Sequence, residues 1–206
     1  MCVAFDDKYT DTMENNMTDK PINLKTNNIK PISIVRTEKE LRAKTRDFDF
    51  KKDDTTRIKN ELITAMWLES GLGISTNQLG YDCRMFIMRG ETKADTLTCI
   101  NPKIKEFSDE MNTMEEGCLS LPDVFARVVR PAEIVVTFQN ELNEEETQSL
   151  DGLTARVFQH ELDHLDGILF IDRIGPFSRQ RAFEKAKKIQ KMRRRGKEKY
   201  KARFAL

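Results

Sequence analysis

Apolar positions follow a helical rhythm at three places along the chain, and short apolar runs fill the space between the first two. Over residues 53–70, Ile58, Leu62, Ala65 and Met66 fall on one face. Asp53 and Asp54 offer N-cap oxygens and Gly71 stops the run, which predicts a first helix. Residues 84–138 contain RMFIM, LTCI, KIKEF and EIVVTF. These are short and rich in β-branched or large apolar residues, and they read as strands. Asn101-Pro102 reads as a break between two of them, and the charged QNELNEEET as a hairpin tip. Residues 152–166 predict a second helix, with Asp151 as cap, Gly167 as stop, and Leu153, Val157, His160/Glu161 and His164 at 3–4 spacing. ILFIDRI then reads as a short buried extended segment. From 178 to about 200 a basic helix is expected, with Phe183, Ala186 and Ile189 as a thin apolar stripe. Strands followed by helices predict an α+β domain.

Composition changes this picture mainly at the ends. The chain has 206 residues, of which 33% are charged, so part of it is expected to be solvated tail rather than core. Residues 1–28 are polar and aperiodic, and read as a disordered or loosely attached extension. They carry Asp6, Asp7, Asp11 and Glu14 and no apolar run. That fits neither a secretory signal nor a transit peptide. No stretch approaches the ~18 apolar residues of a membrane span. A cytoplasmic monomer without membrane contact is therefore expected, its four cysteines free thiols. The net charge of +1 hides an asymmetry. From Arg173 onward there are 14 Lys and Arg against two Glu, and the preceding 172 residues hold 21 basic and 32 acidic residues. Such a basic end suggests a polyanionic partner.

The strongest chemical signal is His160-Glu161-Leu162-Asp163-His164, which contains the only two histidines. On a helix, positions i and i+4 project from one face, so both imidazoles can reach one metal ion with Glu161 beside it. Neighbouring Val157, Phe158, Leu162 and Leu165 predict a helix buried on more than one side. A catalytic site of this kind needs a third protein ligand. Downstream the candidates are poor: Phe170 stands where HExxHxxGxxH peptidases have histidine, and Glu184 lies in a Lys/Arg-rich stretch. Upstream, Cys118 follows a glycine in Glu116-Gly117-Cys118-Leu119-Ser120. Taken alone it is equally readable as a ligand or as a small buried residue.

Three segments in order, GLGISTNQ (Gly71–Gln78), EGCLS (Glu116–Ser120) and QHELDH (Gln159–His164), resemble the motifs of the peptide deformylase family. The resemblance extends over about Ile32–Phe177. It implies an α+β fold with antiparallel or mixed sheets packed around a central HExxH-bearing helix. It implies a metal-dependent hydrolase that removes the N-formyl group from the initiator methionine of new polypeptides and releases formate. Cys118, His160 and His164 would bind one divalent metal, Fe2+ first, with Zn2+, Ni2+ or Co2+ also able to occupy the site. Glu161 would act as base and then acid, Gln78 and the Leu119 N–H would donate to the oxyanion, and Gly73 would lie beside the substrate. Leu153 and Val157 are candidates to line the methionine pocket.

The same resemblance divides the chain into an extension (1–28), a catalytic domain (29–177) and a basic C-terminal helix or tail (178–206). The tail is a candidate contact to ribosomal RNA. Ser75 and Thr76 depart from the family's motif, which usually has two alanines there. Another HExxH amidase or peptidase, and a non-catalytic ribosome-binding module on the same fold, are the alternatives to deformylation.

Overall fold

A computed structural model describes residues 33–204, with side chains through Arg195. The expected N-terminal extension lies outside the described residues.

The order is α1 (Glu38–Leu41), α2 (Thr55–Leu68), β1 (Gly73–Ser75), a 3-10 turn (Thr76–Leu79), β2 (Met85–Met88), β3 (Leu97–Phe107), β4 (Met111–Cys118), β5 (Leu121–Pro131), β6 (Glu133–Gln139), β7 (Glu145–Asp151), α3 (Gly152–Leu165), a 3-10 turn (Phe170–Asp172) and α4 (Pro176–Phe204). The fold is α+β with antiparallel sheets. Five strands run in the order β1-β2-β3-β6-β7, and β4-β5 form a separate two-stranded hairpin.

Three apolar clusters hold these layers together. Phe86, Val136, Phe138 and Phe158 lie at the heart of the first, between sheet and α3. The Phe86 and Phe158 rings meet edge to face at 5.0 Å, a favoured aromatic arrangement. A second cluster packs Leu62 and Met66 of α2 on Ile74, Met85 and Ile87. The third joins Val124 and Val128 of β5 to Leu169, Phe170 and the α4 residues Ala182 and Ala186. Asp54 caps α2 by accepting from the Arg57 N–H at 3.0 Å, whereas the Asp151 side chain makes no cap bond on α3.

Several local expectations change. LTCI and KIKEF are one strand, β3. Asn101-Pro102 makes a bulge, with Asn101 at φ +49° and the pairing to β6 shifted between Ile100 and Lys103. A bulge absorbs the missing proline donor without ending the strand. The charged connector shortens, because Glu145–Thr147 already belong to β7. That strand alternates outward polar residues over a mostly polar sequence, so it lacks an apolar signature. ILFIDRI is not extended throughout: Phe170–Asp172 form a 3-10 turn, with the Leu169 N–H bonded to the Asp172 carboxylate at 2.9 Å. No helix among the described residues is long and apolar enough to cross a membrane.

Candidate metal centre

Cys118 ends β4 where the hairpin register breaks. Gly117 pairs with Phe125, but Cys118 pairs with Leu121. The irregularity brings the thiol under α3. There His160 and His164, one turn apart, hold their rings 5.0 Å apart, and Phe170 stacks on His160 at 5.9 Å. Cys118 Sγ is 3.2 Å from His164 Nε2. The sulfur and one nitrogen from each histidine all lie within 4.8 Å of one another, and all three residues are buried.

The three side chains fit a divalent ion. His160 Nδ1 faces Glu116 Oε2 at 2.9 Å. A carboxylate accepts, so that nitrogen carries the proton, and Nε2 is left buried with no hydrogen bond of ordinary geometry among the described residues. Buried polar atoms are seldom left so. Burial opposes ionisation of Cys118, but the facing His164 and His160 outweigh it and hold the thiol well below its ordinary range. The ligand set is thus two imidazoles and a sulfur inclined to be thiolate, which suits zinc, iron, cobalt or nickel.

Behind His160 lies a buried charge network. Arg130 Nε and Arg156 Nη1 donate to Glu116 Oε1 at 2.7 and 2.8 Å. Arg130 Nη2 donates to Glu116 Oε2 at 3.0 Å. Arg130 also reaches Asp163 at 2.6 Å, and Arg173 closes on Asp163 from the surface at 2.5 Å. Burial works against the Glu116 carboxylate, yet His160 and Arg130 overcome it and hold it well below the usual carboxylate range. A network of this kind fixes the tautomer and ring plane of a ligating histidine.

The GLGISTNQ segment forms the opposite wall. A Cβ on Gly73 would lie 2.8 Å from Glu161 Cγ, Glu161 Oε1 and Val157 Cγ1, so only glycine lets β1 approach α3 this closely. Gly73→Ala is expected to push the Glu161 and Val157 side chains aside and to lower the melting temperature by several degrees through overpacking, which a thermal melt against the parent checks. Gln78 accepts the Ser75 N–H on Oε1 at 2.9 Å. That bond turns its amide nitrogen toward Ser120 Oγ at 3.1 Å and Cys118 Sγ at 3.7 Å. The hydroxyls of Ser75 and Thr76 are both satisfied: Thr76 bonds the main-chain carbonyls of Cys83 and Met85, and Ser75 reaches Glu161. Asn77 Nδ2 donates to the His164 carbonyl at 2.6 Å.

The structure therefore brings together Gln78, Cys118, His160, Glu161 and His164, with Gly73 and Val157 against Glu161. Leu119 follows Cys118, its side chain in the α2 cluster and its carbonyl bonded by Arg36 at 3.1 Å. Leu153 is different. It stands 47% exposed in the first turn of α3, seven residues and about 10 Å along the helix from His160. Sequence reasoning did not single out Arg130, Arg156 or Asp163. One signal existed: Arg156 sits between Ala155 and Val157 on a helix expected to be buried, and a buried arginine needs an anion.

The family model for polypeptide deformylase matches residues 29–180. The chain belongs to the peptide deformylase family. A peptide deformylase from Agrobacterium fabrum is 35% identical over 161 residues, spanning 76% of this chain and 94% of that one. One from Brucella suis is 34% identical over 169 residues, spanning 80% and 95%. Among solved structures, a plant peptide deformylase aligns with TM-score 0.71 at 30% identity, covering 88% of this chain and 97% of that one. The peptide deformylase of Synechococcus elongatus, solved in complex with actinonin, aligns with TM-score 0.71 at 28% identity, covering 81% and 91%. Deformylases are metal-dependent hydrolases, and this chain is an enzyme of that class.

Proposed function

We propose that this chain removes the formyl group from N-formyl-methionyl polypeptides, with Cys118, His160 and His164 holding the metal and Glu161 moving the proton. The observation that carries the reading is the convergence of these four side chains with Gln78 from three separate segments. The organising element is α3, which supplies both histidines and the carboxylate.

A divalent ion at this site, Fe2+ first among the candidates, supplies a Lewis acid for the formyl oxygen and a water of lowered pKa. Glu161 accepts a proton from the attacking water and returns it to the amine nitrogen as the C–N bond breaks and formate leaves. The Gln78 amide nitrogen and the Leu119 N–H donate to the oxygen that gathers charge as the carbon becomes tetrahedral; each such donor contributes about 3 kcal/mol. Gly73 admits the peptide backbone beside Glu161, and Val157 bounds the methionine pocket. Leu153, more exposed, takes the outer edge of that pocket.

The deciding experiment is formate release from an N-formyl-Met peptide by protein loaded anaerobically with Fe(II) or Ni(II). Formate with stoichiometric free methionyl peptide is expected. Peptide fragments instead would move the reading to a peptidase, and no reaction from metal-bound protein would move it to a binding module.

Residues 29–177 make the catalytic unit in this reading, and buried Ala182 and Ala186 extend it into α4. The distal part of 178–206 is the segment for ribosomal RNA. From residue 191 on, it has eight basic residues against Glu198. Truncation after Gln190 is expected to lower ribosome co-sedimentation at least about fivefold at low salt and to leave turnover of a short peptide intact. Unchanged co-sedimentation would remove the RNA contact.

A further inference from the structure

Ser75 is fully buried at the end of β1, and its hydroxyl points at α3. Its Oγ lies 2.7 Å from Glu161 Oε2 and 3.0 Å from the Glu161 main-chain oxygen. A serine carries one hydroxyl proton, and the charged, nearer acceptor takes the stronger bond. The side chains of the next two residues behave differently. Thr76 and Asn77 donate only to main-chain carbonyls, which ties segments together without touching a reacting group.

We infer that Ser75 is a positioning residue for the reaction: its hydroxyl holds one oxygen of Glu161 and so fixes the plane in which the carboxylate meets water and amine. The inference rests on Glu161 being the proton carrier. A glutamate has three side-chain torsions, and a base that must serve first the water and then the nitrogen gains from having them fixed before reaction. Two features already restrict this side chain. Gly73 and Val157 wall one flank, and Ser75 anchors the other. Its main-chain bond alone would require only that β1 lie against α3. The bond to Oε2 reaches the carboxylate itself, and a purely structural serine has no need of that.

The test is a double-mutant cycle on the metal-loaded enzyme, read as formate release from an N-formyl-Met peptide. Ser75→Ala is smaller than serine and stays within the available space. It is expected to lower kcat roughly tenfold and leave KM within about twofold, since only the orientation of the reacting group is lost. Glu161→Asp withdraws the carboxylate by one methylene, beyond reach of the hydroxyl. On that background Ser75→Ala is expected to cost less than about twofold in kcat. The visible absorption of the cobalt-loaded protein, which reports the Cys118 thiolate, is expected to be the same for Ser75→Ala and the parent.

Equal fold-losses on both backgrounds, a rise in KM at unchanged kcat, an altered cobalt spectrum or a parent-like kcat would each overturn the inference. Glu161→Ala separates this from the underlying reading. If that variant keeps full turnover, the base assignment itself fails. If it is inactive while Ser75→Ala matches the parent, only the role of Ser75 fails.

Discussion

Replacing Glu161 by alanine is expected to cut kcat for formate release by about a thousandfold while leaving the fold and metal content unchanged. At 1.36 kcal/mol per tenfold, that is about 4 kcal/mol of transition-state stabilisation. The fold should survive for reasons visible around the residue. Alanine is the best helix former in the middle of α3. The Ser75 hydroxyl keeps an acceptor, because the Glu161 main-chain oxygen remains 3.0 Å away. Cys118, His160 and His164 keep their mutual positions, so bound metal should be stoichiometric in both proteins. Glu161→Gln sharpens the result. It retains size and can still accept from Ser75, yet it cannot take a proton, so it should be as inactive as alanine. Formate assay, metal analysis and a thermal melt on the three proteins settle the point. Activity of either variant within tenfold of the parent would exclude Glu161 as the proton carrier.

The sequence revealed the part of the site that sits on one helix. Histidines at i and i+4 must share a face whatever surrounds them, so His160, Glu161 and His164 were readable as a unit. Cys118 was not readable from the residues alone. Its approach to the histidines depends on a register break at Gly117–Cys118, which no local pattern encodes, so the glycine beside it left ligand and small buried residue as equal readings until the resemblance favoured the ligand. The charge network was hidden for the same reason. Glu116 meets His160 across 44 residues of chain and Arg156 across 40, and pairings of that range arise from packing the hairpin on α3. Strand β7 escaped because EETQSLD carries polar residues on its outer face and little apolar signal. The bulge at Asn101 looked like a strand end because Pro102 lacks a donor, although β6 accommodates it by a shift in register. Ser75 and Thr76 stood out only as a departure from the resemblance. Their partners show that each buried hydroxyl has an acceptor at hand, which removes the penalty of burying it.

Removing Glu116 is expected to damage stability and metal binding together. The carboxylate is fully buried and receives Arg130 twice, Arg156 once and the His160 Nδ1–H. In Glu116→Ala, Arg130 still has Asp163, and Arg156 still has Asn112 and the Val128 carbonyl. Both guanidiniums nevertheless lose their shared anion in a site closed to water. Breaking a buried pair in this way costs about 3–5 kcal/mol, or roughly 10 °C in melting temperature for a domain of this size. The imidazole also loses the acceptor that fixes its tautomer, for which a 10- to 100-fold weaker metal affinity is the ordinary consequence. Glutamine does not restore the network. Four donors converge on two oxygens, and an amide replaces one of those oxygens with a fifth donor. Glu116→Gln should therefore bind metal more weakly than the parent despite its matching shape. The pH dependence follows from the direction of the carboxylate shift. Because Glu116 is held well below its unfolded value, its contribution is fully present at neutral pH and fades only as pH falls through the acid range toward the folded value. The stability gap between parent and Glu116→Ala should narrow as pH falls from neutral into strong acid. Thermal melts across that range and a competition titration with a metal chelator measure the two effects. A melting temperature within about 2 °C of the parent, with unchanged metal affinity, would show that the guanidiniums and His160 hold their places without Glu116.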